Sequence, residues 1–134
     1  MPVAWTPALA IGIPEIDHQH QELFFRLARL LEGITGGDRA EVARLIDFLG
    51  DYVVKHFAAE ERWMVESGFP ELDSHKAEHD AFMQDYLRFS VELEGMGPTA
   101  LVALRVNNWI AEWLRRHIMV RDAALGWYLA DKIA

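Results

Sequence analysis

Two pairs of metal-binding side chains stand at one spacing within residues 56–79: His56 with Glu60, and His75 with His79. Each helical residue turns the chain by about 100°, so an i,i+4 pair shares a face, about 40° apart. Imidazole nitrogens and carboxylate oxygens are donors to transition metals, so each pair is half of a cation clamp. Between the pairs runs Ser67-Gly68-Phe69-Pro70, where Gly68 suits a helix C-cap and Pro70 the approach to a new helix. Helices joined by so short a connection pack antiparallel, which lets the pairs face each other across a bundle interior. His20, His117 and Asp122 extend the set to seven side chains.

The elements that must position them can be read from apolar periodicity. Residues 1–16 carry Pro2, Pro7, Gly12 and Pro14 and read as an extended arm, with Trp5, Leu9, Ile11, Ile13 and Ile16 packing it onto the body. A first helix is expected from an N-cap at Asp17 to about Ile34, with His20 on the stripe of Leu23, Phe24, Leu27 and Leu30. His18 falls on the opposite, solvent side. Gly36-Gly37-Asp38 stops and restarts the chain, and Asp38 to Glu41 fits a capping box for a second helix to about Glu66. There His56 and Glu60 replace apolar residues in the buried register, where they need partners. A third helix is expected over Leu72–Glu94, ended by Gly95, Gly97 and Pro98, and a fourth over Thr99–Met119 with His117 inward. Asp122 lies five residues beyond His117, about 140° away on a regular helix, so the helix is expected to distort or end near Met119 to Arg121. A shorter helical segment follows, Arg121 to Ile133. The expected fold is all-α: an up-down-up-down antiparallel four-helix bundle, one domain over 1–134, with arm 1–16 and bundle 17–134.

Composition excludes several chemistries. The 134 residues include no cysteine, which removes disulfides, zinc-thiolate sites, iron–sulfur clusters and thiol catalysis. The net charge of −8 and the lack of a basic run argue against nucleic acid and anionic membranes as partners. No apolar run is long enough for a membrane span, and no signal peptide is evident, so a cytoplasmic location is expected. Glu61, about 100° around from Glu60, belongs on the surface or behind the ligands. Trp63, Trp109, Trp113, Phe24, Phe57 and Phe82 are expected in the core, some of them walling the site from water.

Ligand count points to the metal. Seven donors exceed the four of one zinc, and imidazole suits iron, copper, zinc or nickel better than calcium or magnesium. With two octahedral ions, five imidazoles, two bridging carboxylates and one bridging oxide or hydroxide leave about one of some twelve positions open. One vacancy admits a diatomic ligand but hardly a second substrate.

The pattern resembles the hemerythrin family, and within it the single-domain bacteriohemerythrins. The resemblance is carried by Ile11-Gly-Ile-Pro-Glu-Ile-Asp17, Gln19-His20-Gln21, His56-Phe-Ala-Ala-Glu60-Glu61, Met64, His75-Lys-Ala-Glu-His79, Trp113-Leu-Arg-Arg-His117-Ile118 and Asp122. It implies a non-haem di-iron centre that binds O2 reversibly, as an oxygen carrier, store or delivery protein rather than an enzyme. It puts His75, His79 and His117 on one iron, His20 and His56 on the second, and Glu60 and Asp122 as bridges. The run after Asp122, Ala-Ala-Leu-Gly-Trp-Tyr, lacks a basic residue common in relatives, which bears on the packing of the C-terminal segment. An attached output region is not expected, which favours carriage, storage or delivery to an O2-consuming recipient protein. Competing readings are O2 or redox sensing through a separate partner, and a di-iron site handling peroxide, nitric oxide or iron. A more distant one is an HD-type phosphohydrolase built on His79-Asp80, His56 and Asp122.

Overall fold

The computed structural model describes residues 5–97 and 99–133, without side-chain detail at 94, 96, 100 and 131–133. Residues 1–4 of the expected arm and Pro98, expected as a helix stop, lie outside the described residues. Four long helices form the body: α1 (Pro14–Gly36), α2 (Arg39–Ser67), α3 (Leu72–Met96) and α4 (Ala100–His117). A π-helical turn, Ile118–Asp122, joins α4 directly to α5 (Ala123–Ile133). No strand occurs among the described residues. The topology is up-down-up-down: α1 packs on α2 and α4, and α2 on α3. α3 and α4 meet through bulky aromatics, with Phe82 stacked on Trp109 at 4.7 Å between ring centroids.

The helix ends follow local chemistry. Asp38 caps α2, its Oδ1 accepting from the Glu41 amide at 3.1 Å. Thr99 caps α4 by accepting from the Val102 amide at 3.3 Å. Gly37 and Gly68 close α1 and α2 in the left-handed conformation, φ 75° and 68°, which side chains with a Cβ rarely adopt. The start of α1 differs from the sequence expectation. Pro14 sits at the first helical position, where its missing N–H costs nothing, so the helix begins three residues before Asp17. Asp17 is not the N-cap; its carboxylate turns back and accepts from the amides of Ile11, at 2.8 Å, and Gly12, at 3.2 Å.

The arm packs as its apolar residues require. Leu9, Ile13 and Ile16 are buried, and a short 3-10 turn spans Pro7–Leu9. It crosses α5 at Gly126, where a Cβ would stand 2.2 Å from the Ile11 carbonyl oxygen. Tyr128 fixes α5 from the other side, its hydroxyl donating to the Ser67 carbonyl at 2.8 Å.

Two apolar clusters result. The larger includes Leu23, Phe24, Leu27, Val53, Phe57, Phe82, Leu114 and Ile118. The smaller gathers Ile13, Ile16, Ala59, Met64, Phe69, Leu125 and Leu129 around the arm and α5. The six expected core aromatics divide: Phe24, Phe57 and Phe82 are buried, whereas Trp63, Trp109 and Trp113 are half-buried at the edge.

Candidate metal centre

All seven sequence-predicted side chains meet between the two apolar clusters. His20 comes from α1, His56 and Glu60 from α2, His75 and His79 from α3, His117 from the end of α4 and Asp122 from the π-helical turn. None is more than 2% exposed. His18, by contrast, is exposed, as its register requires.

His117 and Asp122 share the site because the helix distorts between them rather than ending, the first of the two expected routes. The chain stays helical, but a π turn closes i→i+5 bonds and so brings residues five apart onto one face. His117 Nε2 and Asp122 Oδ1 are 3.1 Å apart. The expected interruption near Met119 to Arg121 is therefore one widened turn, and the segment after it continues α4.

Donor atoms converge on two centres. Glu60, His75, His79 and His117 form one group within 4.8 Å, and His20, His56, Glu60 and Asp122 a second, so Glu60 belongs to both. Asp122 spans them too: Oδ2 lies 3.0 Å from His20 Nε2, while Oδ1 lies 3.0 Å from His75 Nε2. Glu60 Oε1 is 2.9 Å from His56 Nε2 and 3.5 Å from His79 Nε2.

These short approaches are mostly not hydrogen bonds. Both oxygens of Glu60 and of Asp122, both ring nitrogens of His20 and His75, and Nε2 of His56 are buried without a hydrogen-bond partner. The lone pairs are aimed at shared points rather than at each other. His79 and His117 bring Nε2 atoms within 3.1 Å, where only a proton or a cation reconciles two lone pairs. Unsatisfied buried polar atoms cost roughly 1–3 kcal/mol each, and a cation held among these would satisfy them together. Five neutral imidazoles and two carboxylates suit a pair of first-row transition ions.

Without cations the cluster is electrostatically tense. Burial pushes the His56 imidazole down, against the pull of Glu60. Burial also opposes ionisation of Glu60, yet His56 and the contacts from Asp122 and His75 hold its carboxyl well below the usual range. Asp122, opposed by burial and Glu60, is drawn down to about 2 by His117. His75, despite burial, is raised to about 9 by Asp122 and Glu60.

Three rings are oriented from behind. His56 Nδ1 donates to Gln19 Oε1 at 2.8 Å, His79 Nδ1 to Glu61 Oε2 at 3.0 Å, and His117 Nδ1 to Glu78 Oε1 at 3.2 Å. Such partners fix the ring and direct Nε2 at the centre. Sequence reasoning allowed Glu61 this position but missed Gln19 and Glu78. The available signal was adjacency: Gln19 precedes His20, and Glu78 precedes His79, so each flanks a ligand about 100° around its helix. Phe57 stacks on His79 at 3.9 Å between centroids, and Trp113 on His117 at 4.5 Å, walling the centre from water.

The family model described as the hemerythrin HHE cation binding domain matches residues 11–126. The chain belongs to the hemerythrin family. Among relatives, a bacteriohemerythrin of Stenotrophomonas maltophilia is 34% identical over 122 residues, covering 91% of this chain and 78% of that protein. One of Methylococcus capsulatus is 30% identical over 125 residues, covering 92% and 94%. The crystal structure of a wild-type hemerythrin, 28% identical, superposes with a TM-score of 0.84 over 94% of this chain and 96% of that one. The helical bundle is thus the hemerythrin fold, and the buried His, Glu and Asp cluster lies within the matched residues.

Proposed function

We propose that this chain binds O2 reversibly at a pair of iron ions and serves as an oxygen carrier, store or delivery protein. The observation that carries the reading is the pair of donor groups joined through Glu60, in which the oxygens of Glu60 and Asp122, both ring nitrogens of His20 and His75 and Nε2 of His56 are buried without hydrogen-bond partners. His75, His79 and His117 would hold one ion, His20 and His56 the other, with Glu60 and Asp122 spanning both. Iron in these places would supply electron density that O2 can take up and return. The His20–His56 position has one imidazole fewer and is the natural place for the gas. Family membership supports a cation site, and the names of the bacterial relatives support the oxygen reading.

The chain's own part is to bind without reacting further. Five of the seven donors are neutral, which disfavours strongly oxidising states of the metal. The stacked rings of Phe57 and Trp113 slow water and proton entry. The phosphohydrolase alternative loses its motif here, because Asp80 is exposed and faces away from the cluster that His79 enters. The sensing alternative has one observation in its favour. Met119, Val120 and Trp127 present apolar side chains to solvent, Trp127 at 77%. It expects amide exchange along α5 to differ between aerobic and anaerobic protein, whereas simple carriage expects none.

Metal analysis with a visible spectrum, in air and after deoxygenation, tests the main reading. Two irons per chain and a charge-transfer band that vanishes without O2 and returns with it are expected. Zinc alone, or no O2-dependent band, overturns it. No helix among the described residues is long and apolar enough to cross a membrane.

A further inference from the structure

The π-helical turn poses a register problem that the residues around it answer. Four residues after His117 stands Arg121, and on a regular α-helix it would lie about 40° from His117, facing the donor cluster. Asp122 would then point about 140° away. The α register thus aims a cation at a cation site and withdraws a carboxylate from it. The structure adopts the other register. Ile118 and Asp122 are buried, Met119 and Val120 face solvent, and the Arg121 side chain is 32% exposed. π turns are uncommon and need a local cause.

That cause lies on α3. The Arg121 Nε donates to Glu78 Oε2. Its Nη1 donates to Ser74 Oγ at 3.3 Å and lies 3.9 Å from Glu71 Oε1. Residues 71, 74 and 78 are spaced by three and four, so Glu71, the N-cap residue of α3, lines up with Ser74 and Glu78 along one edge of the helix. The other oxygen of Glu78 accepts from His117 Nδ1 at 3.2 Å. One carboxylate therefore holds both the ring that begins the turn and the guanidinium that must stay outside it.

We propose that Glu78 and Arg121 are positioning residues that lock residues 118–122 in the π register, and that through this lock Asp122 and His117 face the same centre. Neither touches the donor cluster's interior. The consequence for cation binding rests on the function proposed above; the lock itself does not.

The test uses the full chain, with amide exchange measured after chelator treatment and Co(II) as the only added cation. In Arg121→Ala, exchange at 118–122 is expected to rise about tenfold or more, with exchange in the middle of α2 unchanged. Affinity for the second Co(II) is expected to fall about 10- to 100-fold, the usual cost of removing a partner behind a ligand. Arg121→Lys, which keeps a cation within reach of Glu78, is expected to restore most of both. Glu78→Gln keeps an oxygen for His117 but loses the ion pair, so it is expected to loosen the turn as Arg121→Ala does. Arg116→Ala breaks only the exposed pair with Glu112 and is expected to leave both readouts unchanged. Wild-type exchange at 118–122 in both Arg121→Ala and Glu78→Gln would overturn the proposal. If the unmutated chain binds no Co(II) while exchange in Arg121→Ala still rises, the lock stands and the cation reading falls.

Discussion

Glu60→Gln separates a shared bridge from an ordinary buried carboxylate. The substitution keeps shape and one carbonyl oxygen but removes a charge common to both donor groups. Glu60 Oε1 lies 2.9 Å from His56 Nε2 and 3.5 Å from His79 Nε2, so a cation held by either ring sits within about 4 Å of the carboxylate. At an effective dielectric of about 20, two unit charges 4 Å apart interact by about 4 kcal/mol, and a divalent ion doubles this. The amide dipole and the easier burial of a neutral group offset about half. Roughly 4 kcal/mol remains, near a thousandfold in affinity. Competition of Zn(II) against a calibrated chelator reads this directly, with far-ultraviolet circular dichroism confirming unchanged helicity. Both ions should weaken, not one. A variant that still binds two ions with unaltered affinities would refute the shared-bridge geometry. A variant that loses only one would place Glu60 in a single group.

The remaining predictions concern the shell, the apo protein and the arm. Glu61→Gln, behind His79 alone, should weaken one ion about 10- to 100-fold and spare the other, as a two-step metal titration would resolve. In chelator-treated protein His75 binds its proton more tightly folded than unfolded, so its contribution is fully present below pH of about 6.5 and lost as pH rises through about 9. Asp122 acts oppositely: its contribution is present above about 3.9 and lost as pH falls through about 2. Thermal melts should therefore show the metal-free chain weakening from pH 7 to 9.5, while the metal-loaded chain, whose imidazoles are already deprotonated, does not. Gly126→Ala should destabilise by about 1–3 kcal/mol, because the new Cβ would overlap the Ile11 carbonyl; denaturant melts measure the loss, and faster proteolysis near residue 11 would locate it.

Much of the bundle was legible because its signals are local. Gly36-Gly37-Asp38 and Gly68 punctuate the helices where the structure does, since a left-handed cap and an N-cap carboxylate each act within a few residues. The placing of six donors followed from period alone: His20, His56, Glu60, His75, His79 and His117 fall on apolar stripes, and a stripe buries whatever it carries. From spacing, Asp122 read as a contradiction, five residues from His117, and only the family resemblance placed it in the site; the contacts from α3 beside the turn are ones no spacing on α4 reveals. The start of α1 was misplaced for a related reason. Asp17 has the composition of an N-cap, but Pro14 had already set the helix, and the carboxylate found its donors in the arm. Gln19 and Glu78 were missed because they act across 37 and 39 residues of sequence, on rings carried by other helices.

The division of the core explains why the arm and α5 accompany four helices that could form a bundle without them. Along α1, α2 and α3, and from the π-helical turn into α5, the donors interrupt the apolar stripe at the same level, while His117 of α4 lies between Leu114 and Ile118 of the larger cluster. His20 falls between Ile16 and Leu23, His56 and Glu60 between Val53 and Met64, His75 and His79 between Phe69 and Phe82, and Asp122 between Ile118 and Leu125. The first or last residue of each of these intervals belongs to the smaller cluster and the other to the larger. A layer of seven buried polar side chains thus splits the core, and hydrophobic burial must be sufficient on each side of it. The four helices supply most of the larger cluster, with Leu9 of the arm and Ile118 of the π-helical turn added to it. On the other side they contribute fewer buried residues, Ile16, Ala59 and Met64, with Phe69 from the α2–α3 connection and Trp63 and Leu72 packed at the edge. Ile13 from the arm and Leu125 and Leu129 from α5 complete that layer, and the close crossing of Ile11 over Gly126 ties the two together. Substitutions at that crossing, 11 against 126, should therefore admit water to the donor layer before they unfold the bundle.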